Sequence, residues 1–266
     1  MALQAVMEAS ETLVGAFRDR KEVIYKGRGN VVTNLDYQVE KQVIDLLQKE
    51  YPRFGVLSEE GRVIEGQEEY TWVLDPLDGT RNYASGNPLF SVNLGLAHRD
   101  EVVLGITYDP LQKELFRASK GKGAFLNDSP ISVSQQTSVQ ASVLGLDMGY
   151  SDERGKQALQ MLVSLWPGMQ TIRIMGSAAL GLAYAAAGRL DLYFHHSLAP
   201  WDLVSGILLV QEAGGVITDG DGARATFWSK SIIASNEAIH ADFLRVTEGC
   251  EWRRATPESG SSSRSG

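Results

Sequence analysis

The 266-residue sequence has a single cysteine, Cys250, so no internal disulfide can form. It has no CxxC and no Cys/His pair at zinc-ligand spacing, which excludes the common structural zinc sites. No stretch approaches the ~20 apolar residues that span a bilayer. Basic runs are absent too: Asp plus Glu number 33 against 25 Lys plus Arg, for a net charge of −8. That balance argues against nucleic acid or an anionic membrane as partner. The first segment, MALQAVMEASETLVGAFRDR, has no basic region ahead of its apolar residues and reaches acidic ones early. It reads as an amphipathic helix rather than a secretory leader, and the expected location is cytoplasmic.

What is present is ordinary globular composition, 43% hydrophobic and 22% charged, in a chain long enough to bury a large core. Helical periodicity marks residues 2–20, with Leu3, Val6, Met7, Leu13, Val14 and Phe17 on one face, and residues 34–50, with Leu35, Val39, Val43, Leu46 and Leu47. WDLVSGILLVQEA (201–213) stops at Gly214-Gly215, a helix C-terminal signal. Further helices are expected at 153–165, 177–187 and 237–247. The strand-like runs are FGVLS, TWVLD (71–75), a hairpin of 90–98 with 101–109 turning at Arg99-Asp100, a second hairpin in 114–127, DLYFH (191–195), GGVIT (214–218) and SIIAS (231–235). Two helices, a block of mostly antiparallel strands, then alternating helix and strand predict a layered α+β fold in two halves without a clear linker. The Ser/Gly-rich end, 256–266, is expected to be disordered.

Several acidic residues stand where elements end. In WVLDPLDGT, a strand delivers Asp75, Pro76 is expected to force the chain out of the sheet, and Asp78 follows on a tight turn. Two carboxylates three residues apart on such a turn can converge on a hard divalent cation, and the amides of Gly79 and Thr80 can meet an anion. DPLDGT alone also fits a type I turn. Glu59-Glu60 before Gly61 fits a solvated turn, Asp202 a helix N-terminus, and Thr33-x-x-Asp36 a capping box. Together they are more than capping requires. Gathered without cations they would repel one another and drive some pKa values up, whereas two or three divalent cations would turn the cluster into a site for an anionic substrate.

At these residues the sequence resembles the inositol monophosphatase family, part of the Mg²⁺-dependent, lithium-sensitive phosphatase superfamily that includes fructose-1,6-bisphosphatases. The resemblance rests on VLSEEG with WVLDPLDGTRNY (56–61, 72–83), GSAALGLAYAAAGRLDLYF (176–194) and PWDLVSGILLVQEAGG (200–215), with VVTNLDYQVEKQV (31–43) ahead of them. It extends over roughly residues 3–247. It implies an αβαβα sandwich of the sugar-phosphatase type: one catalytic domain over 1–250, in halves of approximately 1–140 and 141–250, forming a homodimer.

The resemblance further implies two or three Mg²⁺ per site. Glu59, Asp75 and the carbonyl of Leu77 would hold the first; Asp75, Asp78 and Asp202 the second; Glu59, through water, a third. Asp36 and Thr80, counted with Glu59 as catalytic, would orient and deprotonate the attacking water. Asp78, Gly79, Thr80, Gly176, Ser177, Ala178, His195 and Asp202 would line the substrate side. The implied reaction is hydrolysis of a small phosphorylated metabolite, inositol 1-phosphate or a related sugar phosphate. Fructose 1,6-bisphosphate, histidinol phosphate, a nucleotide or NADP are alternatives, and a non-catalytic regulatory scaffold is a reading from another class.

Two departures from the family pattern matter. Asn30 stands where many relatives have Asp. His195 stands where inositol-specific members have an acid, and an imidazole cannot supply a carboxylate's two acceptor oxygens. The alternative for His195 is a strand end facing solvent. Arg173 reads as a structural strand residue, and Trp72 and Trp201 as packing beneath the site.

Overall fold

A computed structural model describes residues 1–20, 23–25 and 31–254. The expected tail at 256–266 and the departure at Asn30 lie outside the described residues. Helix α1 (Ala2–Ala16) is followed by a small antiparallel ribbon, β1 (Val23–Tyr25) with β2 (Val31–Thr33), and by α2 (Asn34–Glu50). The next stretch supplies β3 (Gly55–Ser58), β4 (Val63–Ile64), β5 (Tyr70–Asp78), the short helix α3 (Thr80–Ser85), β6 (Ser91–His98), β7 (Glu101–Asp109), β8 (Glu114–Ser119), β9 (Ala124–Leu126) and β10 (Ser129–Pro130). These strands form one sheet in the order β10-β9-β8-β7-β6-β5-β3-β4, parallel only between β3 and β5. Then follow β11 (Val143–Leu146), α4 (Asp152–Leu165), β12 (Thr171–Ile174), α5 (Ala178–Ala186), β13 (Leu192–His196), α6 (Pro200–Glu212), β14 (Val216–Thr218), β15 (Ser231–Ser235) and α7 (Glu237–Val246). Their strands make a second sheet, β12-β11-β13-β15-β14.

Three apolar clusters show how the layers stack. Val6 and Leu13 of α1 and Val39, Val43 and Ile44 of α2 pack on Trp72, Leu74, Val92 and Leu94 of the first sheet. The opposite face of that sheet, through Val73, meets Val204 and Leu208 of α6 and Leu180 and Leu182 of α5, which also cover Tyr193 of the second sheet. The far face of the second sheet, with Leu144, Leu146, Phe194 and Ile233, is closed by Met161 and Leu162 of α4, Phe243 of α7 and Trp252. The result is a layered αβαβα sandwich. TWVLD is apolar throughout because neighbouring residues serve opposite faces, Trp72 and Leu74 in one cluster and Val73 in the other, and both faces are covered.

The helices sit close enough to the sheets that side chains are excluded at the contacts. A Cβ at Gly95 would collide with the Val204 side chain, and one at Gly105 would lie 2.8 Å from the Ser205 backbone. A polar clip fixes the same junction. Asn93 of β6 donates to the carbonyl of Trp201 at 2.5 Å, and its Oδ1 accepts from Thr107 at 3.1 Å and from the Ser205 hydroxyl. Asn93, Thr107 and Ser205 are fully buried, so these bonds set the pose of the start of α6, where Asp202 lies. Ala-rich α5 is a packed core helix, as its composition predicts.

Two expectations are corrected. On α1 the buried face is Ala5, Val6, Ala9 and Leu13, while Leu3, Met7 and Val14 are exposed; small alanines let α1 press on α2, and the larger side chains fall to the flank. The chain also does not leave the sheet at Pro76. β5 continues to Asp78, which pairs with Ser91, and the register shifts between Asp75 and Asp78. A bulge accommodates a proline that cannot donate to the ladder, and it turns both aspartates to the same end of the sheet.

Candidate active site

The bulge places Asp75 and Asp78 at the end of β5, and the first turn of α6 brings Asp202 from the second half of the chain. One carboxylate oxygen from each of the three lies within 4.8 Å of the other two. Each carboxylate has local support. Asp75 Oδ1 accepts from the Leu77 amide at 3.0 Å. Asp78 accepts from the Ser91 hydroxyl at 3.0 Å, from the Ala178 amide at 2.9 Å and from the Ser177 hydroxyl. Asp202 Oδ2 accepts from the Ala199 amide at 2.7 Å, so it caps its helix while its other oxygen remains available. The cavity they line, of about 300 Å³, is also walled by Glu59, Leu77, Gly79, Thr80, Gly176, Ser177, Ala178 and His195.

Asp36 is the one expected site residue that does not line the cavity; it sits behind Thr80. Its Oδ2 accepts from the Thr33 amide (2.8 Å) and hydroxyl (2.6 Å), the capping box read from the sequence. Its Oδ1 lies 3.3 Å from Thr80 Oγ1, which is also 2.9 Å from the Leu77 carbonyl. A hydroxyl has one proton, so Thr80 can donate to either partner and use its lone pairs toward the cavity. One residue thus does both jobs that the sequence left open, capping α2 and contacting Thr80.

The electrostatics are those of like charges confined. Burial first, then repulsion from Glu59, Asp78 and Asp202, drives the Asp75 carboxyl well above the usual range. Burial also raises Asp78, opposed by the hydrogen bonds from Ser177, Ser91 and the amides of Ala179 and Ala178. Asp202 is pushed up to about 7, by burial and by Asp78, against the Ala199 amide. Asp36 is raised to about 6 by burial, with Thr33 pulling the other way. A hard divalent cation, which wants oxygen ligands, would displace the protons that such raised carboxyls tend to hold and remove the repulsion between them. Asp75, Asp78 and Asp202 therefore fit as ligands, with Glu59 on the same wall outside the trio.

Gly79 has φ +85, and a Cβ there would meet the Leu89 carbonyl oxygen at 2.9 Å. Gly176 has φ +72 and faces Asn82, whose amide donates to the carbonyls of Leu89 (2.7 Å) and Met175 (2.9 Å). These contacts bring the Gly79-Thr80 turn against the Gly176–Ala178 segment, across the two halves. His195 is only 6% exposed and lines the cavity, so the solvent-facing alternative is wrong. Burial and His196 lower its pKa to about 3, which keeps it neutral, and its Nδ1 has no hydrogen-bond partner among the described residues. Arg173 is an exposed residue of β12 that bonds to Thr171 and to the Ile172 carbonyl, consistent with a structural role. Trp72 is in the core beside Tyr51 and Phe54, and Trp201 packs partly buried on the central cluster.

Sequence reasoning missed Asp147, at the end of β11. It is buried, accepts from the Tyr193 hydroxyl at 2.6 Å and from the Gly176 amide, and is raised to about 7 by burial. A signal existed: VLGL followed by Asp repeats the pattern of TWVLD, an apolar strand delivering an acid at its end. It also missed Arg81 and Tyr150 on the cavity rim.

The fold and the gathered acids agree with what comparison finds. The family profile described as the inositol monophosphatase family matches residues 1–251, and the chain belongs to that family. It is similar to an inositol-1-monophosphatase of Mesorhizobium japonicum, 36% identical over 251 residues, covering 92% of this chain and 94% of the relative. It is likewise 36% identical over 220 residues to a fructose-1,6-bisphosphatase/inositol-1-monophosphatase of Thermotoga maritima, covering 83% of each. Among solved structures, the extragenic suppressor protein suhB of Bartonella henselae superposes with a TM-score of 0.89 at 37% identity, covering 93% of this chain and 96% of that one. No helix among the described residues is long and apolar enough to cross a membrane.

Proposed function

We propose that the protein is a Mg²⁺-dependent phosphomonoesterase that hydrolyses a small phosphorylated metabolite by direct attack of water. The observation that carries this reading is the convergence of Asp75, Asp78 and Asp202, from the two halves of the chain, beside the Asp36–Thr80 contact. Bound divalent cations would supply charge neutralisation of the phosphate and acidification of a water. Glu59, Asp75, the Leu77 carbonyl, Asp78 and Asp202 would hold two or three of them. Thr80, backed by Asp36, accepts the proton-bearing water in a fixed orientation, and the raised Asp36 carboxyl can receive that proton through the threonine hydroxyl. The amides at Gly79 and Thr80, at the open start of α3, meet phosphate oxygens. Gly176, Ser177 and Ala178 close the opposite wall, with Ser177 held by Asp78 and capping α5.

On the leaving-group side, neutral His195 offers one donor or one acceptor where inositol-specific relatives present a carboxylate. A substrate there makes a single hydrogen bond rather than a bidentate pair, so inositol 1-phosphate is a candidate among several sugar phosphates. Retention of the acids and of the Asp36–Thr80 contact argues against a scaffold role alone. We further propose one catalytic unit over residues 1–250, acting in the cytoplasm as a homodimer and inhibited by millimolar lithium, as the family resemblance implies. The test is phosphate release from inositol 1-phosphate, fructose 1,6-bisphosphate, histidinol phosphate, NADP and 3′-phosphoadenosine 5′-phosphate, with and without Mg²⁺. Release that requires Mg²⁺ and favours one ester supports the proposal; no release from any ester by folded, metal-loaded protein refutes it.

A further inference from the structure

Strand β13 ends in two consecutive histidines, which a strand sends to opposite faces of its sheet. His195 lines the acidic cavity, while His196 lies with Phe194 on the far face, where Trp252 closes the third apolar cluster. The Trp252 side chain is fully buried, and its Nε1 donates to His196 Nδ1 at 3.1 Å. An indole nitrogen only donates, so this bond leaves the proton of a neutral His196 on Nε2. Burial and Arg154 lower the His196 pKa to about 4, which keeps the ring neutral. Nε2 in turn lies against the turn at Gly149, where φ is +58 and a Cβ would stand 3.2 Å from the His196 carbonyl oxygen and 3.3 Å from Nε2. Met148, Gly149 and Tyr150 wall the cavity on this side. The segment that carries Trp252 also grips the chain just beyond that wall. Arg154, in the first turn of α4, donates to the carbonyls of Glu251 (3.4 Å) and Arg254 (3.0 Å). Arg253 fastens the same segment to the carbonyls of Gly220 and Leu244, both at 2.7 Å.

We propose that residues 251–254 are a positioning strap for the substrate side of the cavity: Trp252, acting through His196, sets the 148–150 wall against which the ester is bound. The part that concerns the ester rests on the phosphatase reading above; the tether itself does not. Residues 251–254 do not line the cavity, so the strap governs where the wall stands, and hence binding, and spares the chemical step. The Trp252–His196 bond is what separates a tether from packing. The faces of the indole fill the third cluster whatever its N–H does, whereas the N–H serves His196. With Nδ1 held, the imidazole keeps one orientation beneath the turn at Gly149; without that bond, either ring nitrogen can face the turn.

The test removes the N–H while keeping an aromatic ring in the cluster: Trp252→Phe, compared with His196→Leu and with the double variant. The readouts are amide hydrogen exchange of the substrate-free protein and steady-state kinetics on the ester of the panel that is hydrolysed fastest. Trp252→Phe should speed exchange at residues 148–150 by about fivefold, the scale of one neutral hydrogen bond, and raise KM by about the same factor with kcat within about twofold of wild type. His196→Leu should do the same, and the double variant should be no worse than either single one, because both remove one connection. A packing role alone would lower the melting temperature and speed exchange across α7 and the second sheet while KM stays put; that result overturns the proposal. So does unchanged exchange at 148–150, or single effects on KM that multiply in the double variant. Faster exchange with an unchanged KM overturns the role in substrate binding. Should His196→Leu not fold, Trp252→Phe decides through exchange and KM. If no ester is hydrolysed, the phosphatase reading fails, and exchange at 148–150 in the same variants decides the tether by itself.

Discussion

Asp147→Asn should change how stability depends on pH, in a direction and by an amount that the structure sets. Burial holds the Asp147 carboxyl at about 7, against 3.8 for an ordinary aspartate, although Tyr193 and the Gly176 amide both donate to it. The native state therefore binds more protons here than the unfolded chain does, and this residue's contribution to stability falls as pH rises from about 4 through about 7. Integrated from pH 5 to pH 8, the difference is about two tenfold steps, or about 3 kcal/mol. An asparagine keeps an acceptor for Gly176 and can donate to the Tyr193 oxygen, but has no charge to lose. The assay is thermal unfolding of both proteins in EDTA at pH 5, 6, 7 and 8. His195, His196 and His240, which burial lowers and which titrate alike in both proteins, cancel in the difference. The melting temperature of the variant should rise relative to the wild type by about 6 °C from pH 5 to pH 8. A difference that stays flat over that range, or runs the other way, refutes the assignment of a strained buried carboxylate.

Asp78→Asn should lower Mg²⁺-dependent turnover by roughly a thousandfold while leaving the fold intact, because the amide preserves the shape that Ser91 and Ser177 grip but not the charge; near wild-type kcat would rule out Asp78 as a ligand. Calorimetric affinity for Mg²⁺ should weaken by about fiftyfold from pH 7 to pH 5, since Asp202, at about 7, must lose a proton to ligate; the same affinity at both values would contradict its role. Gly79→Ala should cost about 1–3 kcal/mol in denaturant unfolding and depress kcat, because it combines φ +85 with a Cβ at 2.9 Å from the Leu89 carbonyl; an unchanged midpoint would mean the turn relaxes.

The parts of the site that were legible in the sequence are those whose logic is local. Asp75 is held by the Leu77 amide two positions on, Asp202 by a proline-led helix start and Asp36 by a capping box, while Asp78 is marked by its place in DPLDGT although Ser91, Ser177 and Ala178, which hold it, lie far along the chain. Asp147 escaped because its meaning depends on Tyr193 and Gly176, 46 and 29 positions away. Arg81 and Tyr150 escaped for the same reason: neither resembles a site residue until the fold sets one over the other. The α1 error has a different origin. Hydrophobic periodicity ranks side chains by size, so Leu3, Met7 and Val14 outweighed Ala5 and Ala9, whose smallness makes the close contact with α2 possible. At Pro76 a rule about hydrogen-bond donors was right, but a bulge satisfied it without ending the strand.

The Asn93 clip and the Asp75–Asp78–Asp202 trio lie at the same junction, where the first sheet meets the start of α6. The clip fixes that junction through neutral hydrogen bonds, whereas the trio would do so only with a cation between its oxygens. A bound cation would relieve the repulsion that raises these carboxyls, while the Asn93 bond fixes the register of α6 on β6 with or without it. A bound cation should then slow amide exchange at both the end of β5 and the first turns of α5 and α6, segments that come from the two halves of the chain. The catalytic cation would on this account also be the rivet between the two layers, and losing it would loosen the molecule along that seam first.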